Sequence, residues 1–566
     1  MRFFITILIL GIHLQLLAQS TYVPLQSLSM HLIDRYEIKS GRLADPLEFN
    51  TSTRAYQRHR IVAYIDSFNV VGAKLSKQDY FNFAYLQADN FEFTNAESTK
   101  SKINTRKVWE YKAAFFGLKS TDYTLVFNPI TTQTLGIEPK IDKRPSLNSR
   151  GIEMRGTIGK KFGFFTTFSD EILIPQTWLH QFYVDYKAIP GAGFPKLPDG
   201  YSSEMNNPPY INYSTASGYV VYQPSKFLDV KFGHGRNFLG NGYRTFYLSD
   251  FSRDHLFLRV NTRFWKINYT NIFGEIYDWV NFSQRNLPKR HYYATTYGNI
   301  NLTKNLNVGL FQTISFQRDS GYAKGGYDLQ YLNPIIFFKP LENGLNSPDK
   351  TILGADFKWN FLRHFQLYGQ AVITEFKIRE ILSNKGWFGN KWALQGGIKY
   401  IDAFTVNNLD IQMEYNVARP YMYTSFNRLN AYVNYNQNMA HPLGANFYEY
   451  ISIIRYQPTN RLMIKATGIL AIYGNDTAGT NFGKDIRLSY TDLALVKPYG
   501  HEIAQGFRTT LLMADIHVSW MVKHNLFVDF QFVYRTTTSE LARFTTNTVY
   551  PNLTIRWNMP ERRWDF

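Results

Sequence analysis

From about residue 108 to the end of the chain, apolar and polar residues alternate strictly in stretches of about ten residues. In residues 409–417, five apolar side chains occupy the odd positions, while Asp, Gln, Glu and Asn occupy the even ones. A period of two places alternate side chains on opposite faces of a β-sheet. The same pattern recurs in 256–264, 355–361, 462–472, 512–522, 526–535 and 549–559. The pattern therefore predicts an all-β chain of long strands.

Three features favour a transmembrane barrel over a secreted soluble β-sandwich. The alternating runs reach nine to eleven residues, the length of a tilted strand that crosses hydrocarbon, whereas soluble strands usually have about five or six. The polar face carries full charges in mid-strand, which is typical of a hydrated lumen. Aromatic residues lie near strand ends, where barrels carry interfacial girdles: Trp520, Tyr534, Trp557 and Tyr473. The sequence thus predicts a transmembrane antiparallel outer-membrane β-barrel.

About nineteen candidate strands lie between Val108 and Met559. Closed bacterial barrels normally have an even number of strands. We therefore expect about 18 strands, with 16 as the fallback, in a barrel of residues 108–566 with long extracellular loops. The final residue, Phe566, is aromatic and follows an alternating strand. This arrangement resembles the signal read by the outer-membrane assembly machinery, which is therefore an expected partner through the C-terminal strand.

Residues 1–20 predict export. Arg2 precedes an uncharged, largely apolar run over residues 3–18, and the small residue Ser20 follows. A short basic start, an apolar core and a small-residue ending are typical of a secretory signal peptide. The alternative is a transmembrane anchor, which needs about 20 apolar residues, but His13 and Gln15 interrupt this run. We therefore expect signal-dependent export to the outer membrane of a Gram-negative cell.

Residues 21–107 have helical spacing. Apolar residues recur at intervals of three and four in 27–41 and 56–69. Ser76 is followed three residues later by Asp79, as in a helix capping box. We expect a small N-terminal helical subdomain that faces the periplasm or plugs the lumen. The alternative is a partly ordered extension.

The amino-acid composition excludes several classes of protein and restricts the expected partners. The 566 residues include no cysteine, which excludes disulfide scaffolds, thiol catalysis and a Cys-anchored lipoprotein. Aromatic residues make up 17% of the chain, which excludes a disordered protein. Without Arg2, 61 basic residues against 44 acidic ones leave a net charge of +17 on the mature chain. Such a charge concentrates anionic capsule and lipopolysaccharide, while the predicted compartment argues against nucleic acid.

Three loop-like strings carry the candidate ligand-binding side chains: GHGRNFLGNGYR (233–244), EYNVARPYMYTSF (414–426) and NMAHPLGANFYEY (438–450). The first is glycine-rich, but its spacing misses both the dinucleotide and the Walker phosphate loops. Guanidinium groups match carboxylates, so the strings suit an acidic polysaccharide. The alternative for each residue is ordinary packing within the barrel or its loops. The candidate polysaccharide-binding residues are His234, Arg236, Asn237, Arg244, Glu414, Arg419, His441 and Asn446.

The sequence predicts no enzyme. It contains no HExxH, no GxSxG and no Asp-rich calcium loop, so we expect no catalytic residue, no metal and no cofactor. An outer-membrane protease or lipase built from scattered Ser, His and Asp is the remaining enzymatic alternative, because fold alone does not decide function.

A set of strings in order resembles a known family. The strings are HLIDRYEIKSGRL near the N-terminus, then GHGRNFLGNGYRTFYLSD (233–250), YLNPIIFFKPLE (331–342), GWFGNKWALQGGIKY (386–400), NLDIQMEYNVARPYMYTS (408–425) and AHPLGANFYEY (440–450). Together they resemble the capsule-assembly Wzi family and, within it, the gliding motility protein RemB branch. The resemblance implies an outer-membrane barrel of about 18 strands with N-terminal helices that attaches or organises surface polysaccharide. The RemB branch is linked to gliding on surfaces.

The leading hypothesis is a non-enzymatic surface anchor whose loops and lumen rim bind acidic glycan. One alternative is an outer-membrane diffusion or uptake channel with a basic lumen that favours anionic solutes. Another is a barrel subunit of a secretion or gliding assembly. Outer-membrane lipid and lipopolysaccharide are expected partners in every case.

Overall fold

The computed structural model describes residues 21–566 except 46–48, 69–73, 103–107, 140, 160, 196–204, 206, 279–287, 319–324, 336, 346, 348, 376, 478 and 491–496. The predicted signal peptide, residues 1–20, lies outside the described residues. None of the helices in the described ranges is long and apolar enough to span a membrane.

In the described part of the chain, eighteen antiparallel strands close into a barrel. Each strand pairs with its neighbours in sequence, and the last pairs with the first. The predicted fold class and the expected 18 strands are confirmed. The strands are β1 (Tyr123–Gly136), β2 (Ser146–Ile158), β3 (Phe162–Ile174), β4 (Ile211–Ser225), β5 (Leu228–Gly235), β6 (His255–Phe264), β7 (Ile267–Asp278), β8 (Lys289–Asn301), β9 (Leu306–Phe316), β10 (Lys350–Phe361), β11 (Phe365–Glu375), β12 (Lys391–Tyr400), β13 (Leu409–Ala418), β14 (Phe447–Tyr456), β15 (Leu462–Asn475), β16 (Phe507–Lys523), β17 (Leu526–Ser539) and β18 (Thr546–Trp557).

The seam of the barrel contains one additional short strand. The second half of β1 pairs with β18, from Thr131 opposite Trp557 to Gly136 opposite Asn552. The first half of β1 pairs with the short strand Phe116–Lys119. Counting this short strand gives nineteen, which agrees with the number of candidate strands in the sequence.

Alternation sets the two faces of the wall. In β13, Glu414 is buried in the lumen while its neighbour Met413 is 56% exposed on the outside. On β16 and β18, Leu512, Ile516, Leu553 and Ile555 are likewise exposed outward. An apolar outer face and a polar inner face are the pattern of a barrel in lipid.

Three helices form a cap at the end of the barrel that has the short turns: α1 (Leu28–Ser40), α2 (Arg58–Phe68) and α3 (Lys77–Asp89). The predicted capping box at the start of α3 is present, with reciprocal hydrogen bonds between Ser76 and Asp79. The cap contacts the turns of the barrel directly. The Leu43 amide donates to the Lys304 carbonyl (2.7 Å), and the Tyr85 hydroxyl donates to Asn525 (2.7 Å). The cap therefore lies at the short-turn end of the barrel, the end that is periplasmic in bacterial barrels.

A buried ion network docks the cap. Arg35 on α1 pairs with Asp402 in the turn after β12, with Asp410 on β13 and with Asp79 on α3. Lys39 lies 2.6 Å from Asp79 and 2.8 Å from Asp402. Charges this deep require several partners each, so the network fixes α1, α3 and the barrel turn together.

Candidate functional site: a filled lumen and an exposed basic rim

Two long loops, residues 236–254 and 419–446, fold into the barrel and form its central core; we call them the lumen loops. Tyr247 of the first stacks on Phe311 of β9, with ring centroids 4.2 Å apart. The Tyr423 hydroxyl of the second donates to the Phe246 carbonyl (2.8 Å), so the loops also hold each other. Barrel interiors are water-filled in porins and plugged by loops or a helix in other barrels, and this lumen is of the plugged kind.

Residues 558–566, the tail, turn from the end of β18 into the lumen. Each of the four charged tail residues has a partner there. Glu561 binds Lys465 and His517, Arg562 binds Glu171, Arg563 binds Asp250, and Asp565 binds Arg244. Phe566 packs against Phe182 of helix α4 (Thr177–Tyr186) and against Phe251. The aromatic residue therefore lies inside the barrel and not in the last strand, and recognition of that strand by the assembly machinery stays a prediction.

Three of the predicted site residues meet in one buried network. Glu414 accepts hydrogen bonds from the backbone amides of Tyr243 (2.6 Å) and Arg244 (2.9 Å). The Arg244 guanidinium reaches Asp565 (3.0 Å) and Glu449 (3.4 Å). His441 Nε2 lies 2.7 Å from the other oxygen of Glu449. The network joins both lumen loops, the wall and the tail.

Burial and acidic partners shift the pKa values of the two loop residues in this network, His441 and Arg244, in opposite directions. His441 is fully buried and stacks on Phe447, with ring centroids 4.4 Å apart. Burial lowers the pKa of His441, although Glu449 opposes the shift. Burial alone would lower the pKa of Arg244, but Asp565 and Glu449 raise it above its ordinary value. Both side chains are therefore used to hold the lumen filling.

The other three predicted residues of the first string form no hydrogen bond or ion pair with this network among the described residues. His234 and Arg236 line a lumen cavity of about 280 Å³. Arg236 Nε is 2.9 Å from Asp254, and the guanidinium also donates to the Asp250 carbonyl (3.0 Å). Asn237 is buried and accepts a hydrogen bond from Arg259 (3.3 Å).

The last two predicted residues support an exposed pair of loops, residues 377–390 and 497–506, which we call the rim. The half-buried Arg419 donates to the carbonyls of Trp387 (3.4 Å) and His501 (3.2 Å), one in each loop. The Asn446 side chain forms two hydrogen bonds with the backbone of Gln505: it donates to the carbonyl (2.8 Å) and accepts from the amide (3.2 Å). Arg419 and Asn446 thus position the rim from below.

The two rim loops are paired through their backbones. The Phe388 amide donates to the Pro498 carbonyl (3.1 Å), the Gly500 amide to the Lys385 carbonyl (2.9 Å), and the His501 amide to the Gly386 carbonyl (3.0 Å). The ladder places residues 385–388 beside residues 498–501. It lies at the long-loop end of the barrel, which is extracellular in bacterial barrels.

The rim is basic and aromatic. Its exposed cations are Lys377, Arg379, Lys385 and Lys497, against the two acids Glu380 and Glu502. Among the described residues, no acid forms an ion pair with any of these four cations. Lys377 Nζ lies 4.7 Å from the centroid of the Trp387 ring, and Tyr499 is 45% exposed. The short helix Ile378–Ser383 adds the exposed apolar residues Ile378 and Leu382.

Sequence reasoning missed the rim cations. They lie outside the three strings, and no spacing links Lys385 with Lys497 before the loops pair. The available signal was the basic and aromatic composition of 377–390, but the candidate residues were chosen from the three strings. In the described ranges, no group of three or more His, Asp or Glu side chains is arranged to hold a metal ion.

The fold and the filled lumen define the class: an outer-membrane β-barrel whose interior is occupied by its own loops. No protein-family model matches the chain. No curated protein matches it by sequence.

Solved structures do match. Wzi of Escherichia coli, described as an outer-membrane protein involved in group 1 capsule assembly and a carbohydrate-binding β-barrel, is 11% identical, with a TM-score of 0.54 over 94% of this chain and 98% of that chain. OprD of Pseudomonas aeruginosa is 8% identical, with a TM-score of 0.42 over 76% of this chain and 94% of that one. OccAB2 of Acinetobacter baumannii is 8% identical, with a TM-score of 0.42 over 76% and 98%. The likeness to Wzi shows a Wzi-like outer-membrane barrel fold.

Proposed function

We propose that this protein is a non-enzymatic anchor for anionic surface polysaccharide, and that the rim is its binding surface. The carrying observation is the set of four exposed rim cations without acidic partners among the described residues. The cations of the lumen differ in this respect, because Arg244, Arg562 and Arg563 already pair with acids of the protein. The rim therefore offers a large external ligand a group of positive charges that no acid of the described residues neutralises.

The chemistry of the rim suits an acidic glycan. Lysine and arginine attract the carboxylates of uronic acids, and arginine binds them through two parallel hydrogen bonds. The exposed ring of Tyr499 supplies a face for the C–H surface of a sugar. A polymer that passes along the ladder would meet several cations in succession, so weak individual contacts add up along the chain.

The described carbohydrate binding of Wzi supports the same proposal, as does the resemblance of the sequence strings to that family. We extend the proposal to the narrower RemB branch, in which the anchored polysaccharide would support gliding on surfaces. Export by the signal peptide in residues 1–20 is part of the proposal. A diffusion channel is disfavoured by the lumen loops and the tail, which occupy the interior of the barrel.

The test is binding of the purified protein to an immobilised polyuronate, with a neutral glucan as the reference polymer. The test variant replaces four rim cations: Lys377→Gln, Arg379→Gln, Lys385→Gln and Lys497→Gln. The matched control makes the same chemical changes on four exposed cations in the short turns at the opposite end: Lys226→Gln, Lys266→Gln, Lys304→Gln and Arg363→Gln.

We expect the rim variant to bind the polyuronate about tenfold more weakly, since four exposed charge contacts of about 0.35 kcal/mol each give about 1.4 kcal/mol in total. The control variant should bind like the wild type, and the wild-type affinity should fall as salt rises. Equal affinity of the rim variant and the wild type would overturn the proposal.

A further inference from the structure

Part of the outer barrel wall is covered by protein. On β8, Tyr293 points into the lumen, where its hydroxyl lies 2.6 Å from His255 Nε2. The alternate positions Tyr292, Ala294 and Thr296 must therefore point outward. Their exposed fractions are nevertheless only 6%, 0% and 5%.

The neighbouring strand β9 shows where the cover ends. Phe311 faces the lumen and stacks on Tyr247, so Leu310, Ile314 and Phe316 face outward. Leu310 is 69% exposed, like other outward residues of the barrel. Ile314 and Phe316 are fully buried. The covered area thus begins between Leu310 and Ile314.

The cover is residues 325–345, which we call the strap; residue 336 lies outside the described ranges. Its rings pack on the outward side chains of the wall. Tyr331 lies 4.8 Å from Phe316 and Tyr327 lies 5.5 Å from Tyr292, measured between ring centroids. Helix α5 (Phe338–Leu345) completes the strap, and the four rings together with Ile314 form a separate apolar cluster.

The strap runs down the wall and does not rest on its upper edge. The hydroxyl of Tyr269 donates to the carbonyl of Pro334. Tyr269 is the third residue of β7, next to the short turn at the periplasmic end of that strand. A strap that leaves the extracellular end of β9 and reaches Tyr269 lies beside the segment of wall that faces the membrane.

Polar groups on the outward face lie beneath the strap. The Thr296 hydroxyl donates to Asn271 (3.0 Å), and Gln312 Oε1 accepts from the Phe338 amide (3.1 Å). The Thr351 hydroxyl donates to Glu342 of α5. Lipid offers no partner for amide and hydroxyl groups, so exposure of this patch to hydrocarbon would be costly.

The outer surface of the strap is apolar. Ile335 is 81% exposed, Leu329 74%, Phe337 71% and Leu332 39%. These side chains continue the apolar face that Leu310 presents lower on the same wall. A cluster of large exposed apolar residues in this position marks a contact with membrane or protein.

We propose that the strap is a membrane-embedded part of the barrel wall whose partner is the acyl chains of the outer membrane. It shields the polar outward groups of β7–β10 and offers Leu329, Ile335 and Phe337 to lipid in their place. Continuity with the lipid-facing wall at Leu310 favours acyl chains over a second protein. The inference is independent of the polysaccharide proposal, because it involves no rim residue.

The absence of cysteine allows a direct test with single labels on the full chain. Two single-cysteine variants, Ile335→Cys and Leu329→Cys, each place a bimane fluorophore on the strap. Leu310→Cys marks the lipid-facing wall, and Tyr499→Cys marks the aqueous rim. Each labelled protein is reconstituted in phosphatidylcholine vesicles with brominated acyl chains, and iodide is the aqueous quencher.

We expect brominated lipid to quench both strap labels to the same extent as the label at Leu310→Cys, while iodide quenches only the rim label. Quenching of the strap labels by iodide and not by brominated lipid would place the strap in water and overturn the proposal. Protection from both quenchers would also overturn it, because a protein would then cover the strap. Two strap positions keep the test decisive if one variant does not fold.

Discussion

Arg244 shows how single residues keep the lumen filled. Its guanidinium contacts Asp565 of the tail and Glu449 of the wall, and its backbone amide is held by Glu414. Removing one partner from a buried ion network leaves the remaining charges uncompensated. The side chain therefore matters more for the interior of the barrel than for any external ligand.

We predict that Arg244→Met lowers the free energy of unfolding by about 3 kcal/mol, the usual result of breaking a buried pair. Guanidinium titration of the detergent-solubilised protein, followed by tryptophan fluorescence, measures the change. Arg236→Met is the matched control in the same loop, because Arg236 is one-third exposed and its pair with Asp254 should contribute about 1 kcal/mol or less. Equal unfolding midpoints for Arg244→Met and the wild type would contradict the prediction.

Asp402 gives the docking of the cap a defined pH dependence. Burial alone would raise its pKa, but Arg35 and Lys39 outweigh burial and lower the pKa to about 2. An acid with a depressed pKa stabilises the folded state above its ordinary pKa of 3.8, and the effect is lost as pH falls toward 2. The docked cap should thus persist at pH 5 and loosen between about pH 4 and pH 2.

Hydrogen exchange of the α1 amides measures this docking. We expect Asp402→Asn to speed α1 exchange at neutral pH, where the wild type is protected, because Arg35 and Lys39 lose a charged partner. Asp122→Asn is the control, because Asp122 is exposed and forms no ion pair with α1 among the described residues. Unchanged α1 exchange in Asp402→Asn would show that the network does not hold the cap.

At the scale of elements, Arg419 is a positioning residue for the rim. It joins two loops through the carbonyls of Trp387 and His501, and it has no need to touch a ligand. We predict that Arg419→Ala increases hydrogen exchange of the backbone amides in 386–388 and 498–501. It should weaken polyuronate binding less than the rim variant with four substitutions does. Arg419→Lys should restore part of both properties, because one donor remains. Weaker binding without faster exchange would indicate that Arg419 contacts the glycan itself.

The strands could be predicted because their signal is local. In 409–417 the polarity of each residue indicates the sheet face on which its side chain lies, and many other strands of the wall repeat this pattern. The helices of the cap were predictable for the same reason, since the pair Ser76 and Asp79 defines a helix start within four residues. Their position at the short-turn end of the barrel follows only from contacts with distant turns such as that of Asn525.

The site was only partly predictable. The sequence strings contain Arg244, Glu414 and His441, which the structure brings together, but Asp565, the tail partner of Arg244, lies more than a hundred residues away from each. The strap escaped prediction because loop composition does not state which wall a loop packs against. Partners at such separations depend on strand closure, which no local pattern encodes.

At the scale of the whole molecule, the protein is a barrel filled from within. The lumen loops, the tail and the cap occupy the path that a solute would take. We predict that the wild-type protein produces no steady open-channel conductance in planar bilayers, whereas deletion of 558–566 increases brief conductance events. A stable, salt-dependent open level in the wild type would favour the anionic diffusion channel over the anchor.

The most direct measurement compares the amounts of cell-attached and released acidic polysaccharide. It uses a deletion strain that carries the wild type, the rim variant or the short-turn control variant, and surface spreading is scored on the same plates. The account predicts that the wild type and the control retain polysaccharide on the cells and spread. The rim variant should release polysaccharide into the medium and spread less, although its barrel is present in the outer membrane at the wild-type level. Full retention of polysaccharide by cells with the rim variant would contradict the account.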